Sequence, residues 1–406
     1  MPVAAAPIAY LTCELKGRDF PSRLLIASHL LAAGYPVIVG QQWAMWRNIQ
    51  NTPKGCFLYK STNMTQAEAM RRCQESGHVV IAADEECLAS SRADIARSTH
   101  PNALRYCDEF LALSEIHRAA LVEVYPEFES RISVAGNVRV DILRSVRPPA
   151  PRGGAYVLIN TSFGIINSMW GDAQTAAAVW INAGGHEAEA DTVALIRERV
   201  AFERAAMQET RGLIDWLLAN TRLDIVIRPH PQERPDMWLD IRPDRVSVVT
   251  SSDSMPWMRH ALVTVHSEST TGVEAAIMGA KAVNLSPPVP WSNRLIVSEV
   301  NPTVRTAREA AAMIEALVNG GAWPPPPSNA TDLFPSGGTE KTAAAILRAL
   351  PPPGPIGTMK WVRRERTDVE KKKFTVGIDE LHATLTCRAK ELDDSLFYLE
   401  PPRAAH

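Results

Sequence analysis

The stretch of sequence that decides the fold is Asp224-Ile225-Val226-Ile227-Arg228-Pro229-His230-Pro231, an apolar strand that runs directly into a polar loop. The two prolines restrict the backbone of this loop. The guanidinium of Arg228 and the imidazole of His230 are therefore held near the end of a strand, where they could bind an anion through charge-assisted hydrogen bonds. Taken alone, the four loop residues favour a structural turn with a hydrogen-bonded histidine, so the surrounding sequence has to decide.

Strand-like and helix-like segments alternate on both sides of this stretch. Strand, helix, strand at this spacing predicts a parallel sheet with helices on both faces. The predicted strands span residues 8–13, 36–40, 56–59, 78–82, 110–113, 132–135, 156–159, 224–227, 246–249, 262–265 and 282–285, and the predicted helices include 20–33, 64–75, 115–124, 200–219, 306–318 and 339–350.

A Pro/Gly-rich segment, residues 146–154, interrupts the alternation and predicts a domain boundary. The predicted fold class is therefore α/β, with two Rossmann-like doubly wound domains facing a central cleft. We assign residues 1–147 to an N-terminal domain, 148–154 to a linker, 155–350 to a C-terminal domain and 351–406 to a C-terminal extension. The extension carries one predicted helix over residues 378–392 and is otherwise left without a fold.

A second polar run follows the strand at residues 262–265 and leads into a helix. Hydroxyl side chains and free backbone N–H groups at a helix N-terminus can form a phosphate cradle. A glycine there allows close approach of a ligand, and a glutamate one turn into the helix could accept hydrogen bonds from a ribose. These candidate nucleotide-binding residues are Ser267, Ser269, Thr270, Thr271, Gly272 and Glu274, together with Arg228 and His230. An ordinary helix cap is the alternative interpretation.

The first domain supplies acidic candidates. Asp84-Glu85-Glu86 follows the predicted strand at residues 78–82, and clustered carboxylates at a strand end can act as a base or a nucleophile. A solvated helix start is the alternative interpretation. Further polar side chains at strand ends are candidates for substrate binding or for capping alone: Glu14, Arg18, Lys60, Asn160 and Ser162.

Composition excludes several classes of protein. The chain has 406 residues, of which 46% are hydrophobic and 22% charged, and a formal net charge of −2, so a nucleic-acid binder is not expected. Its six cysteines form no Cys-x-x-Cys pair and fit a reducing compartment. No apolar run approaches the ~20 residues that span a bilayer. A cytoplasmic protein is predicted, with peripheral contact to the inner membrane or to a polysaccharide assembly complex left open.

The runs Arg228–Pro231 and Ser269–Ala275, with Gly136-Asn137-Val138-Arg139-Val140-Asp141, resemble bacterial surface-carbohydrate (capsule and lipopolysaccharide) glycosyltransferases of the GT-B type. They are similar in particular to transferases that use CMP-activated Kdo or sialic acids. The resemblance implies that His230, Ser269 and Thr270 hold the CMP phosphate. It also implies that Asp84-Glu85-Glu86 supplies the catalytic carboxylate, although Cys87 stands where that family has glycine.

The resemblance thus predicts metal-independent transfer of an acidic sugar from a CMP-sugar donor to a glycan or lipid-linked glycan acceptor, without a cofactor. The chain contains no Asp-x-Asp pair of the kind that binds a metal diphosphate. Three alternatives stay open at this point. They are a glycerophosphotransferase that uses CDP-glycerol, a nucleotide-sugar epimerase, and a non-catalytic protein that binds a nucleotide sugar.

Overall fold

The computed structural model describes residues 8–184, 190–239, 241–242, 244–251, 253–292, 295–354, 359 and 361–401, without side chains for 179–192. The described chain divides into two compact units. The first contains the chain up to Leu88, Ile95–Ile142 and the residues from Phe334 onwards, and the second contains Ala89–Asp94 and Leu143–Leu333.

The first unit is built on an eight-stranded sheet. Its strands are β1 (Ile8–Cys13), β2 (Val37–Gln41), β3 (Gly55–Tyr59), β4 (Val79–Ala83), β5 (Glu109–Ala112), β6 (Ile132–Val134), β13 (Arg388–Asp393) and β14 (Leu396–Glu400). Its helices are α1 (Lys16–Ala32), α2 (Gln42–Asn48), α3 (Met64–Glu75), α4 (Arg92–Ser98), α5 (Pro101–Tyr106), α6 (Glu115–Val124), α7 (Val138–Ser145), α15 (Gly338–Ala349), α16 (Asp368–Lys373) and α17 (Ile378–His382), of which α4 and α7 run across the boundary between the units.

The strand order of this sheet is β13-β14-β2-β1-β3-β4-β5-β6. The strands from β2 to β6 are parallel, whereas β14 pairs antiparallel with both β2 and β13. β1 is buried along its whole length because helices cover both faces of the sheet.

The second unit is built on a six-stranded sheet, ordered β12-β11-β10-β7-β8-β9, whose pairs are all parallel. Its strands are β7 (Tyr156–Asn160), β8 (Asp224–Arg228), β9 (Val246–Val248), β10 (Val263–His266), β11 (Ala282–Leu285) and β12 (Thr303–Val304). Its helices are α8 (Ala173–Gly184), α9 (Ala190–Asn220), α10 (Met255–His260), α11 (Thr270–Ile277), α12 (Val297–Val300), α13 (Ala307–Val318) and α14 (Ala330–Leu333).

The prediction of two Rossmann-like α/β domains is confirmed, but residues 334–350 lie with the first unit and not with the second. Helix α15 packs its apolar face, which includes Ala343 and Ile346, into the core beside α1. Asp141 of α7 fixes the start of this helix, since its carboxylate accepts hydrogen bonds from Gly337 N and from the backbone and hydroxyl of Thr339, each at 2.8 Å.

The C-terminal extension completes the first sheet. The predicted helix over residues 378–392 is wrong in its second half, where the chain forms β13 and then turns into β14. The reason is tertiary: Leu396 and Phe397 bury their side chains while β14 pairs with β2, and this pairing overrides local helix propensity. Among the described residues, no helix is long and apolar enough to cross a membrane.

Gly40 is the residue that permits this strand addition. A Cβ atom at position 40 would lie 2.0 Å from the carbonyl oxygen of Ser395, which belongs to the backbone and can give way only if the strand itself shifts. We therefore expect Gly40→Ala to separate β14 from β2 and to lower the free energy of unfolding by roughly 1–3 kcal/mol, as overpacking does. Urea denaturation and hydrogen–deuterium exchange of the peptide that contains β14 measure the two effects.

Gly153→Ala is the matched control, because a Cβ atom at position 153 would meet nothing within 4 Å. It should leave both measurements unchanged. Wild-type exchange protection of β14 in the Gly40→Ala protein would contradict the account.

Candidate functional site

The second sheet has one position where neighbouring strands continue in opposite directions along the chain. β7 is the first strand of this sheet and lies between β8 and β10, so the connections after β7 and β10 diverge from each other. Ligands of doubly wound sheets bind at the carboxyl ends of the strands at such a switch point. Here those ends are residues 160–164 and 266–270.

Four polar residues lie in register across the end of this sheet. Asn160 pairs with Arg228 on one side and His266 on the other, and His266 pairs with Asn284. Because register partners in a parallel sheet share a face, their side chains emerge on one face, the face that α10 and α11 cover through Met258 and Ala275. We call these four residues the polar row, and all four are buried.

Two members of the polar row have unpartnered polar atoms. Asn160 is 3% exposed and His266 1% exposed. Neither the side-chain amide of Asn160 nor either ring nitrogen of His266 has a hydrogen-bond partner among the described residues. Such atoms are costly in a folded protein unless a ligand or water pairs with them. Burial lowers the pKa of His266 to about 3, so its imidazole is neutral at physiological pH.

Gly272 lies against this imidazole. A Cβ atom at position 272 would be 2.2 Å from His266 Nε2. From the sequence, this glycine is expected to allow close approach of a ligand. In the structure, its immediate effect is to let α11 approach the end of β10 with the imidazole between them.

The hydroxyl residues around the start of α11 make different contacts. Ser269 caps the helix, accepting hydrogen bonds from Thr271 N at 3.4 Å and Thr271 Oγ1 at 3.0 Å. Thr270 is exposed. Ser162 Oγ donates to the carbonyl oxygen of Ser267 at 2.6 Å, so these two residues join the loop after β7 to the loop after β10.

The arginine and the histidine of the Arg-Pro-His-Pro loop lie in different environments. The Arg228 guanidinium is buried and donates to the carbonyl oxygen of Ser251 at 2.8 Å. His230 is exposed, and its Nδ1 accepts a hydrogen bond from Gln232 N at 3.3 Å. Glu274 is half-buried one turn into α11, with Ser254 Oγ donating to its carboxylate at 3.4 Å. Their nucleotide-binding roles remain predictions.

Glu233 joins the loops after β7 and β8, and sequence analysis missed it. Its buried carboxylate accepts hydrogen bonds from Thr161 Oγ1 at 2.7 Å, Phe163 N at 2.9 Å, His230 N at 3.2 Å and Asn167 Nδ2 at 3.1 Å. Burial raises the pKa of Glu233, although these hydrogen bonds oppose the shift. Its position directly after the Arg-Pro-His-Pro loop is the one signal that could have suggested it.

The first unit has its own switch point, between β1 and β3. Glu14 follows β1 and Lys60 follows β3, and their charged groups are 3.0 Å apart. Lys60 Nζ also lies 2.7 Å from Glu86, whose carboxylate accepts a hydrogen bond from Arg18 at 3.1 Å. The sequence candidates Glu14, Arg18, Lys60 and Glu86 therefore form one ionic cluster.

The three candidate catalytic carboxylates differ in access. Asp84 is buried and accepts a hydrogen bond from Thr62 Oγ1 at 2.7 Å, and burial with repulsion from Glu86 raises its pKa. Glu85 is paired with the fully buried Arg23 at 2.6 Å. The Glu86 side chain is 41% exposed. Burial alone would raise the pKa of Glu86, but Lys60 and Arg18 lower it, so this carboxylate is ionised at neutral pH.

Two further residues of this cluster were not among the sequence candidates. Lys373 of α16 lies 2.7 Å from Glu14, so the C-terminal extension contributes a charge at this switch point. Asp19 accepts hydrogen bonds from Glu14 N at 2.8 Å and Leu15 N at 3.0 Å, which fixes the chain entering α1. Burial acts to raise the pKa of Asp19, but Lys60, Arg18 and Arg23 outweigh it and hold the pKa far below its usual range.

In the described part of the chain, no group of three or more His, Cys, Asp or Glu side chains is placed to hold a metal ion. The predictions of metal-independent chemistry and of no cofactor remain predictions.

No protein-family model and no curated protein matches the sequence. Solved structures do match. A UDP-N-acetylglucosamine 2-epimerase is 10% identical over 85% of this chain and 95% of its own, with a TM-score of 0.51. S. aureus MnaA, solved with UDP, is 11% identical over 86% and 100%, with a TM-score of 0.50. A Listeria monocytogenes protein assigned as the same epimerase is 10% identical over 84% and 96%, with a TM-score of 0.50.

The chain has the GT-B-like fold of these epimerases. This result confirms the predicted fold class, but it corrects the predicted function. Two of these neighbours are named as UDP-N-acetylglucosamine 2-epimerases and the third was solved with UDP, so the prediction of a glycosyltransferase that uses a CMP-activated acidic sugar is wrong. The resemblance to Kdo and sialic acid transferases, and with it the assignment to capsule or lipopolysaccharide synthesis, gains no support.

The ionic cluster gives a prediction for the first unit. Asp19 has a lowered pKa in the folded state, so its stabilisation is present above about pH 4 and is lost as the pH falls below that value. Asp19→Asn leaves buried cations without their counter-charge and should lower the free energy of unfolding at pH 7 by roughly 3–5 kcal/mol. Urea denaturation should show the wild-type and variant stabilities converging below pH 4.

Asp379→Asn is the control, since Asp379 is an exposed residue in the first turn of α17. It should follow the wild-type curve at every pH. A constant difference between Asp19→Asn and wild type from pH 7 to pH 2.5 would contradict the electrostatic account.

Proposed function

We propose that this chain is a nucleotide-sugar epimerase that binds a UDP-sugar at the switch point of its second sheet. The observation that carries the proposal is the pair of buried, unpartnered side chains, Asn160 and His266, at the carboxyl ends of adjacent strands. The fold supports it, because MnaA, which has the same fold, was solved with UDP.

The chemistry of the two side chains suits an uncharged part of the ligand. A neutral imidazole and an amide can each donate one hydrogen bond and accept another, which matches the hydroxyl and carbonyl groups of a nucleoside. His266 cannot attract a phosphate by charge at physiological pH, since its pKa is about 3.

The phosphates are assigned to the start of α11. The first backbone N–H groups of a helix, with the positive end of its dipole, favour an anion. Thr270, the first residue of α11, is exposed, so this end of the helix is open to a ligand. The unpartnered imidazole of His266 at the end of the preceding strand is the independent sign that a ligand belongs here.

Epimerisation at C2 of a UDP-sugar can proceed by removal of the C2 proton to a base while the C1–O bond to UDP breaks and a C1–C2 double bond forms. Re-addition of UDP at C1 then returns a proton to the other face of C2, so the reaction needs acid–base groups and no acceptor. Among the acidic candidates of the first unit, Glu86 is the one that we assign to proton transfer. Its side chain is the most exposed of the three carboxylates, whereas Asp84 is buried and Glu85 is paired with Arg23.

Nucleotide selectivity tests the binding part of the proposal. In a thermal-unfolding panel of UDP, CMP, CDP and GDP, UDP should raise the unfolding temperature selectively, by the equivalent of about 2.7 kcal/mol at 100 times its Kd. Asn160→Leu should abolish this effect. It should also raise the stability of the unliganded protein, because it removes a buried polar group that lacks partners.

Thr264→Val is the matched control for this substitution. Thr264 is fully buried, its hydroxyl also lacks a partner among the described residues, and it lies two residues before His266 on β10. The variant should gain stability and keep its response to UDP. Selective stabilisation of the wild-type protein by CMP, or an undiminished UDP response in Asn160→Leu, would exclude the proposed site.

Turnover without an acceptor tests the catalytic part. Incubated in D₂O with UDP-N-acetylglucosamine alone, the protein should produce the epimeric UDP-sugar with deuterium at the inverted carbon, seen by proton NMR. Glu86→Gln should reduce this rate by about 10²–10⁴-fold, the usual contribution of a general acid or base, while leaving UDP binding intact. A chain that binds UDP but never changes the sugar would instead be a binding protein.

A further inference from the structure

The turn between β10 and α11 contains a residue in an unusual backbone conformation. Glu268 has φ +45°, in the left-handed region. Among the described residues it shares a positive φ with one other non-glycine residue, Arg242. Glycine or asparagine would adopt this conformation at lower cost, so a glutamate here requires an explanation from its side chain.

The side chain of Glu268 binds the end of the neighbouring strand β11. Glu268 N donates to Asn284 Oδ1 at 3.0 Å, and Asn284 Nδ2 donates back to Glu268 Oε1 at 3.0 Å. Ser286 Oγ donates to the same Oε1 at 2.9 Å. Asn284 and Ser286 are fully buried, so these contacts fix the backbone of residue 268 to the sheet. We call this arrangement the Glu268 clasp.

The Glu268 clasp connects two parts of the proposed UDP site. Asn284 belongs to the polar row and is the register partner of His266. On the other side of Glu268, Ser269 is the N-cap of α11. The backbone of residue 268 therefore sets where the first N–H groups of α11 lie relative to the end of the sheet.

We propose that Glu268 is a positioning residue for phosphate binding. Its clasp to Asn284 and Ser286 holds the strained turn so that the N-terminus of α11 meets the phosphates of the nucleotide. This inference rests on the proposed function of the second unit and adds a residue that acts on the phosphates without touching them.

The function of Glu268 is that of a hydrogen-bond acceptor and does not need its charge. A glutamine at position 268 keeps an Oε1 that can accept from Asn284 and Ser286. Alanine loses the clasp and keeps the strain, whereas glycine loses the clasp and relieves the strain. These three substitutions therefore separate the clasp from the backbone conformation.

The test measures Kd for UDP and for uridine in the full-length wild-type protein and in Glu268→Gln, Glu268→Ala and Glu268→Gly, by calorimetry and ligand-observed NMR, with the unfolding temperature of each. We expect Glu268→Gln to bind UDP within about threefold of wild type. Glu268→Ala and Glu268→Gly should bind UDP about tenfold more weakly or worse, and uridine as wild type does. Glu268→Gly should show the defect with a smaller loss of thermal stability than Glu268→Ala, because glycine relieves the backbone strain.

A purely structural role would lower stability and would weaken both ligands equally or neither. Wild-type UDP affinity in Glu268→Gly, or an equal loss of UDP and uridine binding, overturns the inference while leaving the proposed function in place. A wild-type protein that binds neither UDP nor uridine overturns the proposed function and the inference with it.

Discussion

The register of the parallel strands in the second sheet is the constraint on which the candidate site depends. Parallel strands end at a common edge, so one polar residue at the end of each of four strands becomes a continuous row. Burial of that row is expensive, and Arg228 and Asn284 offset the cost through hydrogen bonds to neighbouring loops. Asn160 and His266 have no such compensation among the described residues. A fold that keeps them gives up stability at one place, which is characteristic of sites selected for binding.

The first unit handles its buried polar groups differently. Charges of both signs occupy the corresponding edge of its sheet, and each buried charge lies within a few ångströms of an opposite one. Lys60 shows the balance: burial acts to lower the pKa of its ammonium group, but Asp19 and Glu86 raise it. Removal of any single charge from such a cluster destabilises the fold, because it leaves another charge uncompensated. Neutral hydrogen bonding at one edge and paired charges at the other are two solutions to the same problem of polar burial.

Local sequence predicted much of the fold, because β1 and the centre of β8 are short, mainly apolar runs and helices such as α1 lie between the strands at regular spacing. It failed for residues 388–400, where β14 pairs with β2, more than 340 positions earlier, and β13 pairs with β14. The candidate site likewise contains residues that local sequence indicates and residues that only the folded sheet brings together. Arg228 and His230 were found because their loop is distinctive, but the importance of His266 comes from its register with Asn160, over 100 residues away. Glu233 looks like any other glutamate until two loops fold around it.

The placement of β14 beside β2 also affects how the protein is made. The second unit is complete once Leu333 has been added, whereas the first still lacks α15, β13 and β14. At ~5–20 residues per second, synthesis of the segment from there to β14 takes about 3–13 s. During that interval the edge of β2 has no neighbour on its outer side, and open strand edges are templates for association with other chains. The unit that contains β1 is therefore the last to finish folding, and the open edge of β2 is where it can associate with other chains during synthesis.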